Sequence, residues 1–278
     1  MKGLVLVTGA STGIGRECAL HMDRLGYQVF AGVRRQVDGD ALAKEASTNL
    51  TPILLDVADE RSIAKAEGHI REDCSENGLV GLVNNAGIAV AGPLEFIPIP
   101  ELRRQMEVNV IGQVAVTQAF LPLLRKAHGR IIFISSISGR VASPLLGPYA
   151  ASKFALEALA DALRRELYPW GLHVSVVEPG RIETPIWEKS VASAVDLLNG
   201  LPPEVETLYG GLIDARREGA LKGTGGAPVE AVARAVEHAL VSLRPKTRYL
   251  VGRDARIGAL AVRLLPDRLL DRILAHRR

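Results

Sequence analysis

The chain has little cysteine: its 278 residues include only Cys18 and Cys74. Two cysteines in so long a chain do not make a disulfide framework, and their spacing is not that of metal ligands. Both fall in or near helical patterns, so we predict ordinary thiols in a reducing compartment and no metal site.

The sequence also lacks long apolar runs. No stretch approaches eighteen uninterrupted apolar residues, which argues against a transmembrane helix. The first residues, Met1-Lys2-Gly3, lead directly into a predicted strand and lack the apolar segment and cleavage site of a signal peptide. We therefore expect a cytoplasmic protein.

Neither sign of charge is in large excess, because the chain has 34 lysines and arginines and 31 acidic residues, and its net charge is +3. So small an excess gives no reason to expect a polyanionic partner, and nucleic-acid binding is not predicted. A hydrophobic content of 47% is enough for a sizeable core. We expect one domain over residues 1–278.

A glycine-rich turn lies near the start of the chain. Residues 3–7 are an apolar run typical of a strand buried on both faces, and residues 16–25 form an amphipathic helical run. Strand, glycine-rich turn and helix in this order are the context of a dinucleotide site, because the backbone approaches the pyrophosphate and the helix N-terminus holds it. The alternative is an ordinary tight turn. The candidate ligands are Gly9, Ser11, Gly13, Ile14 and Gly15.

Two arginines follow the second predicted strand, residues 28–33. The end of this strand is where an acidic residue usually binds the ribose 2′-hydroxyl of NAD. Here Arg34 and Arg35 offer guanidinium groups to a 2′-phosphate instead, which favours NADP. NAD remains the alternative, with Asp38 or Asp40 serving the ribose.

Strands and helices alternate along the chain, with further predicted strands at residues 51–55, 79–83, 129–135 and 172–177. This rhythm predicts an α/β fold: a doubly wound, mostly parallel, Rossmann-like sheet with helices on both faces. Ligands of such sheets bind at the carboxyl ends of the strands. Candidates at those ends are Asp56, Val57, Asn85, Ala86 and Gly87, although Asp56 has the alternative role of capping the next helix.

A phenol and an ammonium lie four residues apart in Tyr149-Ala-Ala-Ser-Lys153, so they share one face of a predicted helix. A lysine in this position is expected to lower the tyrosine pKa and make the phenol an acid/base, and a second positive charge nearby, such as an oxidised nicotinamide ring, is expected to supply the part of the shift that one lysine does not. The alternative is a packing tyrosine beside a solvated lysine. Ser136, at a strand end, favours the catalytic interpretation, and Asn109 is a polar amide in an apolar helix that needs a partner.

The end of the chain is less regular. Residues 185–227 mix apolar residues with prolines and glycines, which predicts a lid over an apolar substrate. Residues 253–278 form a basic extension in which Pro266 divides two amphipathic helical patterns. This extension is expected either to touch a membrane surface or to pack on the protein or on another subunit.

In this order the motifs resemble those of the short-chain dehydrogenase/reductase family. They are Thr8-Gly9-x-x-x-Gly13-x-Gly15, Asp56, Asn84-Asn85-Ala86-Gly87, Asn109, Ser136, Tyr149-x-x-x-Lys153 and Pro179-Gly180. The resemblance covers nearly the whole chain. It implies a bound nicotinamide cofactor, held also by Pro179, Gly180, Ile182 and Thr184.

The resemblance also implies roles. Tyr149 would exchange a proton with the substrate oxygen, Lys153 would lower its pKa and bind the nicotinamide ribose, and Ser136 would position the carbonyl. Asn109 would hold a water that connects Lys153 to solvent, and Thr184 would fix the carboxamide.

The segments Phe30-Ala31-Gly32-Val33-Arg34 and Thr184-Pro185-Ile186-Trp187 are similar to those of members that act on steroids, retinoids and other lipophilic alcohols. The family implies a dimer or tetramer formed through the helices near 101–126 and 149–168. Two alternatives are an NAD-dependent dehydrogenase of a smaller hydroxy or 3-hydroxyacyl substrate, and a non-catalytic NADP(H)-sensing protein.

Overall fold

The computed structural model describes residues 2–74, 77–183, 195, 197–198, 200–222 and 226–275. Seven parallel strands form one sheet in the order β3-β2-β1-β4-β5-β6-β7. The predicted doubly wound sheet is confirmed. The strands are β1 Leu4–Val7, β2 Gln28–Val33, β3 Leu50–Leu54, β4 Gly81–Asn84, β5 Arg130–Ile134, β6 His173–Pro179 and β7 Arg248–Val251.

Helices connect the strands, and short 3₁₀ turns at Ile137–Gly139 and Tyr168–Trp170 flank the long sixth helix. The α-helices are α1 Gly13–Arg24, α2 Gln36–Ala43, α3 Glu60–Cys74, α4 Ile99–Met106, α5 Gly112–Lys126, α6 Gly147–Leu167, α7 Glu204–Lys222, α8 Val229–Val241, α9 Arg253–Leu264 and α10 Asp267–Ala275.

Successive strand residues point to opposite faces, so the sheet carries two hydrophobic cores. In β1, Val5 and Val7 enter the core that α1 and α8 cover. Leu4 and Leu6 enter the core that α3, α5 and α6 cover. Because both faces are buried in the middle of the sheet, strands such as β1 and β5 are nearly continuous apolar runs, whereas the edge strands β3 and β7 are partly exposed.

The long helix predicted near 101–126 is interrupted in the structure. A π-helical turn, Glu107–Ile111, separates α4 from α5 and contains the fully buried Asn109. Among the described residues, the run Ile99–Lys126 is also long and apolar enough to cross a membrane by length and composition alone. Its residues Val116, Phe120 and Leu124 are fully buried in the core, which accounts for that composition.

At the C-terminal end, Pro266 separates α9 from α10, as the sequence predicts. Both cysteines are buried and unpaired. In the segment predicted as a lid, α7 is described, and Ala227 forms a parallel bridge with Ile182. The lid itself stays a prediction.

Candidate active site

A cleft of about 390 Å³ opens at the carboxyl ends of the central strands. This is the edge at which open α/β sheets bind ligands. Of the residues predicted from the sequence, the following line it: Gly9, Ser11, Gly13, Ile14, Arg34, Asp56, Val57, Asn85, Ala86, Gly87, Tyr149 and Lys153.

The glycine-rich turn is built for close backbone approach. Gly9 and Gly13 have φ angles of +64° and +58°, a region that L-residues with side chains rarely adopt. Gly15 does not line the cleft; a Cβ there would collide with the Gly9 carbonyl and the Asn85 amide. A residue with a side chain at any of these three positions would therefore distort the backbone of the turn.

The segment after β4 holds this turn in place. The Asn85 side-chain amide donates to the carbonyl oxygens of Thr8 and Gly9 at 3.0 and 3.1 Å. In return, the Thr8 hydroxyl accepts from the backbone N–H groups of Asn85 and Ala86, both at 3.0 Å. These bonds explain why asparagine and small residues follow β4, and they leave an open backbone cradle that fits a dinucleotide.

The two arginines after β2 differ in whether another side chain already pairs with the guanidinium group. Arg35 forms a bidentate pair with Asp38, with nitrogen–oxygen distances of 2.8 and 2.6 Å. Asp40 accepts from the Gln36 amide at 2.8 Å. Among the described residues, Arg34 has no ion pair or hydrogen bond through its guanidinium, and it lines the cleft.

Asp56 serves the local backbone as well as the cleft. Its Oδ1 accepts from the N–H of Ala58 at 3.0 Å, and its own N–H donates to the Ser62 hydroxyl at 2.9 Å. The Asp56 carboxylate thus closes a turn before α3 and does not cap that helix, because the capping contact comes from Asp59, whose Oδ1 accepts from the Arg61 N–H at 2.9 Å. The capping alternative for Asp56 is therefore wrong, and the residue borders the cleft.

Asn109 ties the π turn to the cleft wall. Its amide oxygen accepts from the Ile88 N–H at 2.8 Å, and its amide nitrogen donates to the Ile88 carbonyl at 2.9 Å and to Ser152 Oγ at 3.1 Å. Ser152 in turn donates to the Tyr149 carbonyl at 2.7 Å. The sequence predicted that the Asn109 amide needs hydrogen-bond partners, and these are the backbone of Ile88 and the hydroxyl of Ser152.

Gln105 extends this network and was missed in the sequence. It accepts from the Val90 N–H at 2.6 Å and donates to the Ile88 carbonyl at 2.9 Å. A polar residue one helical turn before Asn109 on the same face was the available signal. Gln105 and Asn109 together fix residues 88–90 against α6.

Tyr149 lies near the start of α6, and the Ser136 side chain is a neighbour of its phenol. Burial raises the Tyr149 pKa above its ordinary value, and the Ser136 side chain opposes that change only in part. This direction is opposite to the lowered pKa expected from the sequence, because burial outweighs the stabilisation of the phenolate. The Lys153 ammonium lies 5.7 Å from the tyrosine ring centroid. The phenol is thus held protonated, the form that donates a proton.

Lys153 is buried, with 5% of its surface exposed, and its Nζ donates to the Ile134 carbonyl at 2.8 Å. Burial lowers its pKa to about 8, and the Glu157 carboxylate acts in the opposite direction. Lys153 therefore keeps its charge at neutral pH but loses it in mildly basic solution.

Close to Lys153 lies an ionic network of two buried glutamates and two half-buried arginines that sequence reasoning missed. Glu178, fully buried in β6, pairs with Arg140 at 2.5 and 2.7 Å and with Arg248 at 3.2 Å. Arg248 also pairs with Glu157 at 3.0 Å. A charged residue inside an apolar strand pattern was the only signal, and its partners are distant in sequence.

Some predicted cofactor residues are placed elsewhere. Pro179 ends β6, Gly180 follows it and packs against Asp254 of α9, and Ile182 is buried in the bridge to Ala227. None of the three lines the cleft among the described residues. Thr184 lies outside the residues that the structure describes.

A nucleotide cradle at one end of a cleft and the Tyr149–Lys153 pair at the other define a nicotinamide-dependent oxidoreductase of the doubly wound class. Ser136 and Asn109 do not line this cleft themselves. A family profile described as short chain dehydrogenase matches residues 3–194. The chain belongs to the short-chain dehydrogenase/reductase family, and it is an NAD(P)-dependent enzyme of that family.

Curated relatives align over almost the whole chain. Mouse retinol dehydrogenase 5 is 37% identical over 97% of this chain and 87% of its own length. The NADPH-dependent 3-dehydrocapnine reductase of Ornithobacterium rhinotracheale is 39% identical over 96% of this chain and 94% of its own. Bovine 17-beta-hydroxysteroid dehydrogenase type 6 is 38% identical over 98% of this chain and 87% of its own.

A solved structure agrees with the fold. The short chain dehydrogenase of Burkholderia cenocepacia J2315, in complex with NADP, superposes with a TM-score of 0.74 at 26% identity. The alignment covers 98% of this chain and 96% of that one.

Proposed function

We propose that the protein is an NADP(H)-dependent oxidoreductase that interconverts a lipophilic secondary alcohol and its ketone, with steroid- or retinoid-like molecules as the substrate class. The observation that carries the cofactor choice is Arg34, a guanidinium at the cleft that no described residue pairs. A 2′-phosphate is the group that such a cation would bind. The NADPH-dependent reductase and the NADP-bound structure support this choice.

The alternative carboxylates for NAD are already engaged. Asp38 is held by Arg35 and Asp40 by Gln36, so neither stands ready for a ribose hydroxyl. This arrangement supports NADP over NAD.

The chemistry follows from the residues at the other end of the cleft. The bound nicotinamide supplies or accepts the hydride that interconverts a carbonyl and an alcohol carbon. Tyr149, held protonated beside Ser136, donates a proton to the carbonyl oxygen in the reductive direction. Lys153, fixed on the Ile134 carbonyl, supplies a positive charge that stabilises the phenolate left behind.

Apolar surface beside α6 supports a lipophilic substrate. Leu94, 65% exposed, lies against Gly147 at the start of the helix that carries Tyr149. Leu208 of α7 is 63% exposed, and its neighbour Tyr209 stacks edge-on against Phe96 at 6.0 Å. The names of the retinol and hydroxysteroid relatives agree with such a substrate.

The decisive experiment is an arginine comparison. Arg34→Gln should raise the KM for NADP by about 10- to 100-fold and leave the KM for NAD nearly unchanged, since one charge-assisted contact contributes about 1.5–3 kcal/mol. Arg35→Gln is the matched control, because its guanidinium is occupied by Asp38. Equal effects of the two variants, or no change in cofactor preference, would refute the proposal for Arg34.

We also propose a homo-oligomer formed through the faces of α5 and α6. The support is apolar exposure on α6 and on the π turn that precedes α5: Phe154 and Leu159 of α6 are 45% and 40% exposed, and Ile111 of the π turn is 53% exposed. Light scattering after size exclusion should show a dimer or tetramer that Phe154→Lys dissociates. A monomeric wild-type protein at micromolar concentration would contradict this.

A further inference from the structure

The two C-terminal helices carry an exposed apolar stripe. On α9, Ile257, Leu260 and Leu264 are 62%, 57% and 66% exposed, and their i, i+3, i+7 spacing puts them on one face. On α10, Leu269 and Ile273 are 44% and 43% exposed one turn apart. The stripe therefore continues across Pro266 from one helix to the next.

This stripe has no cover within the described chain. Ala255 is the one buried residue among those of α9, and α10 buries none of its residues. Single exposed leucines are ordinary on protein surfaces, but five on two consecutive short helices form a patch that usually contacts something.

Arginines border the stripe. Arg256 and Arg263 lie seven residues apart along one edge of α9, and Arg268 and Arg272 lie four apart beside Leu269 and Ile273. Residues 253–278 contain seven arginines and three aspartates, a local net charge of +4 with histidine neutral. Apolar side chains edged by cations complement an anionic lipid surface, where the apolar groups enter the headgroup boundary and the guanidiniums meet phosphates.

The stripe lies at the edge of the sheet where the cleft opens. Helix α9 begins after Gly252, at the carboxyl end of β7, and Asp254 accepts from the Arg181 N–H at 2.5 Å just beyond β6. Gly258 packs against Ile137, the residue after Ser136. A surface that docks on α9 therefore lies on the same side of the molecule as the catalytic serine.

We propose that α9 and α10 dock the protein peripherally on an anionic bilayer, with the carboxyl edge of the sheet turned toward the lipid. This deepens the proposed function, on which it partly rests, because a lipophilic substrate dissolved in the bilayer would then meet the enzyme at its cleft side. The binding itself depends on the stripe and its arginines and not on turnover.

Vesicle flotation of the full-length protein tests the proposal. The protein should float with phosphatidylglycerol/phosphatidylcholine vesicles at low salt, bind pure phosphatidylcholine far less, and detach as salt screens the arginines. Leu260→Gln/Leu264→Gln should abolish flotation, and Arg256→Gln/Arg263→Gln should weaken it by about fivefold for each arginine removed.

Matched controls separate docking from general surface effects. Leu243→Gln changes a leucine that is 93% exposed outside the stripe, and Arg61→Gln/Arg71→Gln removes two surface charges from α3. Both should float like the wild type, and thermal melts should show every variant folded, since all the changed side chains are largely exposed.

Absence of flotation for the wild type at low salt would overturn the proposal. So would equal flotation of the Leu260/Leu264 variant, or a change from dimer to monomer in that variant without lipid binding, which would assign the stripe to a second copy. Because flotation is read without substrate or nucleotide, its failure is distinct from failure of the proposed oxidoreductase activity.

Discussion

Lys153→Met should make the nucleotide-free protein more stable at neutral pH while it removes activity. The buried ammonium has its pKa lowered from 10.5 to about 8, and each pKa unit corresponds to about 1.36 kcal/mol, so charging Lys153 costs the folded state about 3 kcal/mol. Methionine avoids that cost, but it leaves the Ile134 carbonyl without its hydrogen-bond donor. The lost hydrogen bond reduces the gain in stability by about 1 kcal/mol. The expected net gain is about 2 kcal/mol at pH 7.

The direction in which stability changes with pH follows from the protons that Lys153 binds in the folded and unfolded states. Between pH 8 and 10.5 the unfolded state holds a proton on Lys153 that the folded state has released, so wild-type stability rises with pH over this interval. The destabilising effect is complete below pH 8 and disappears above 10.5. The advantage of Lys153→Met should therefore shrink across that window.

Urea denaturation of both proteins at several pH values between 6.5 and 10.5 measures the difference. Lys65→Met, at an exposed position of α3, is the control and should show no comparable pH-dependent gain. A Lys153→Met protein that is less stable than wild type at pH 7, with a difference that does not vary with pH, would refute this account of the buried lysine.

Three further substitutions test other parts of the site. Tyr149→Phe should lower turnover at least about 100-fold with nucleotide affinity nearly unchanged in a binding titration, and full activity would contradict the acid/base role. Gly15→Ala should lose nucleotide binding and about 1–3 kcal/mol of stability, because its Cβ meets Gly9; normal binding would refute the tight cradle. Glu178→Gln should cost roughly 3 kcal/mol in denaturant melts, against less than about 1 for Glu101→Gln in a surface pair, and equal costs would contradict a structural role for burial.

Much of the fold could be predicted because its signals are local. Buried parallel strands are apolar runs, and Gly26 and Gly78, with φ angles of +82° and +72°, mark where helices end. The doubly wound sheet was predicted in this way and is confirmed. The family and the enzyme class were predicted from the resemblance of the ordered motifs to a known family, and they are confirmed as well. Tyr149 and Lys153 could be paired because helical spacing alone brings them to one face.

The rest of the site depends on tertiary neighbours. Ser152 becomes a link between Asn109 and Tyr149 only when α6 packs on the π turn. Glu178 meets Arg140 and Arg248 across the end of the sheet. The Tyr149 pKa is raised where the spacing to Lys153 predicted a lowering, for the same reason: burial is set by packing and cannot be read from spacing.

The most direct test of the central claim is a turnover screen with purified protein. NADP and NAD would be supplied in parallel with a panel of steroid, retinoid, 3-hydroxyacyl and small secondary alcohols, and reduced nicotinamide would be followed by absorbance. We predict turnover of a bulky apolar alcohol with NADP preferred by at least about tenfold in kcat/KM, since one lost contact to the 2′-phosphate is worth about 1.4 kcal/mol or more. Turnover with NAD alone, or of the small and 3-hydroxyacyl substrates alone, would contradict the account.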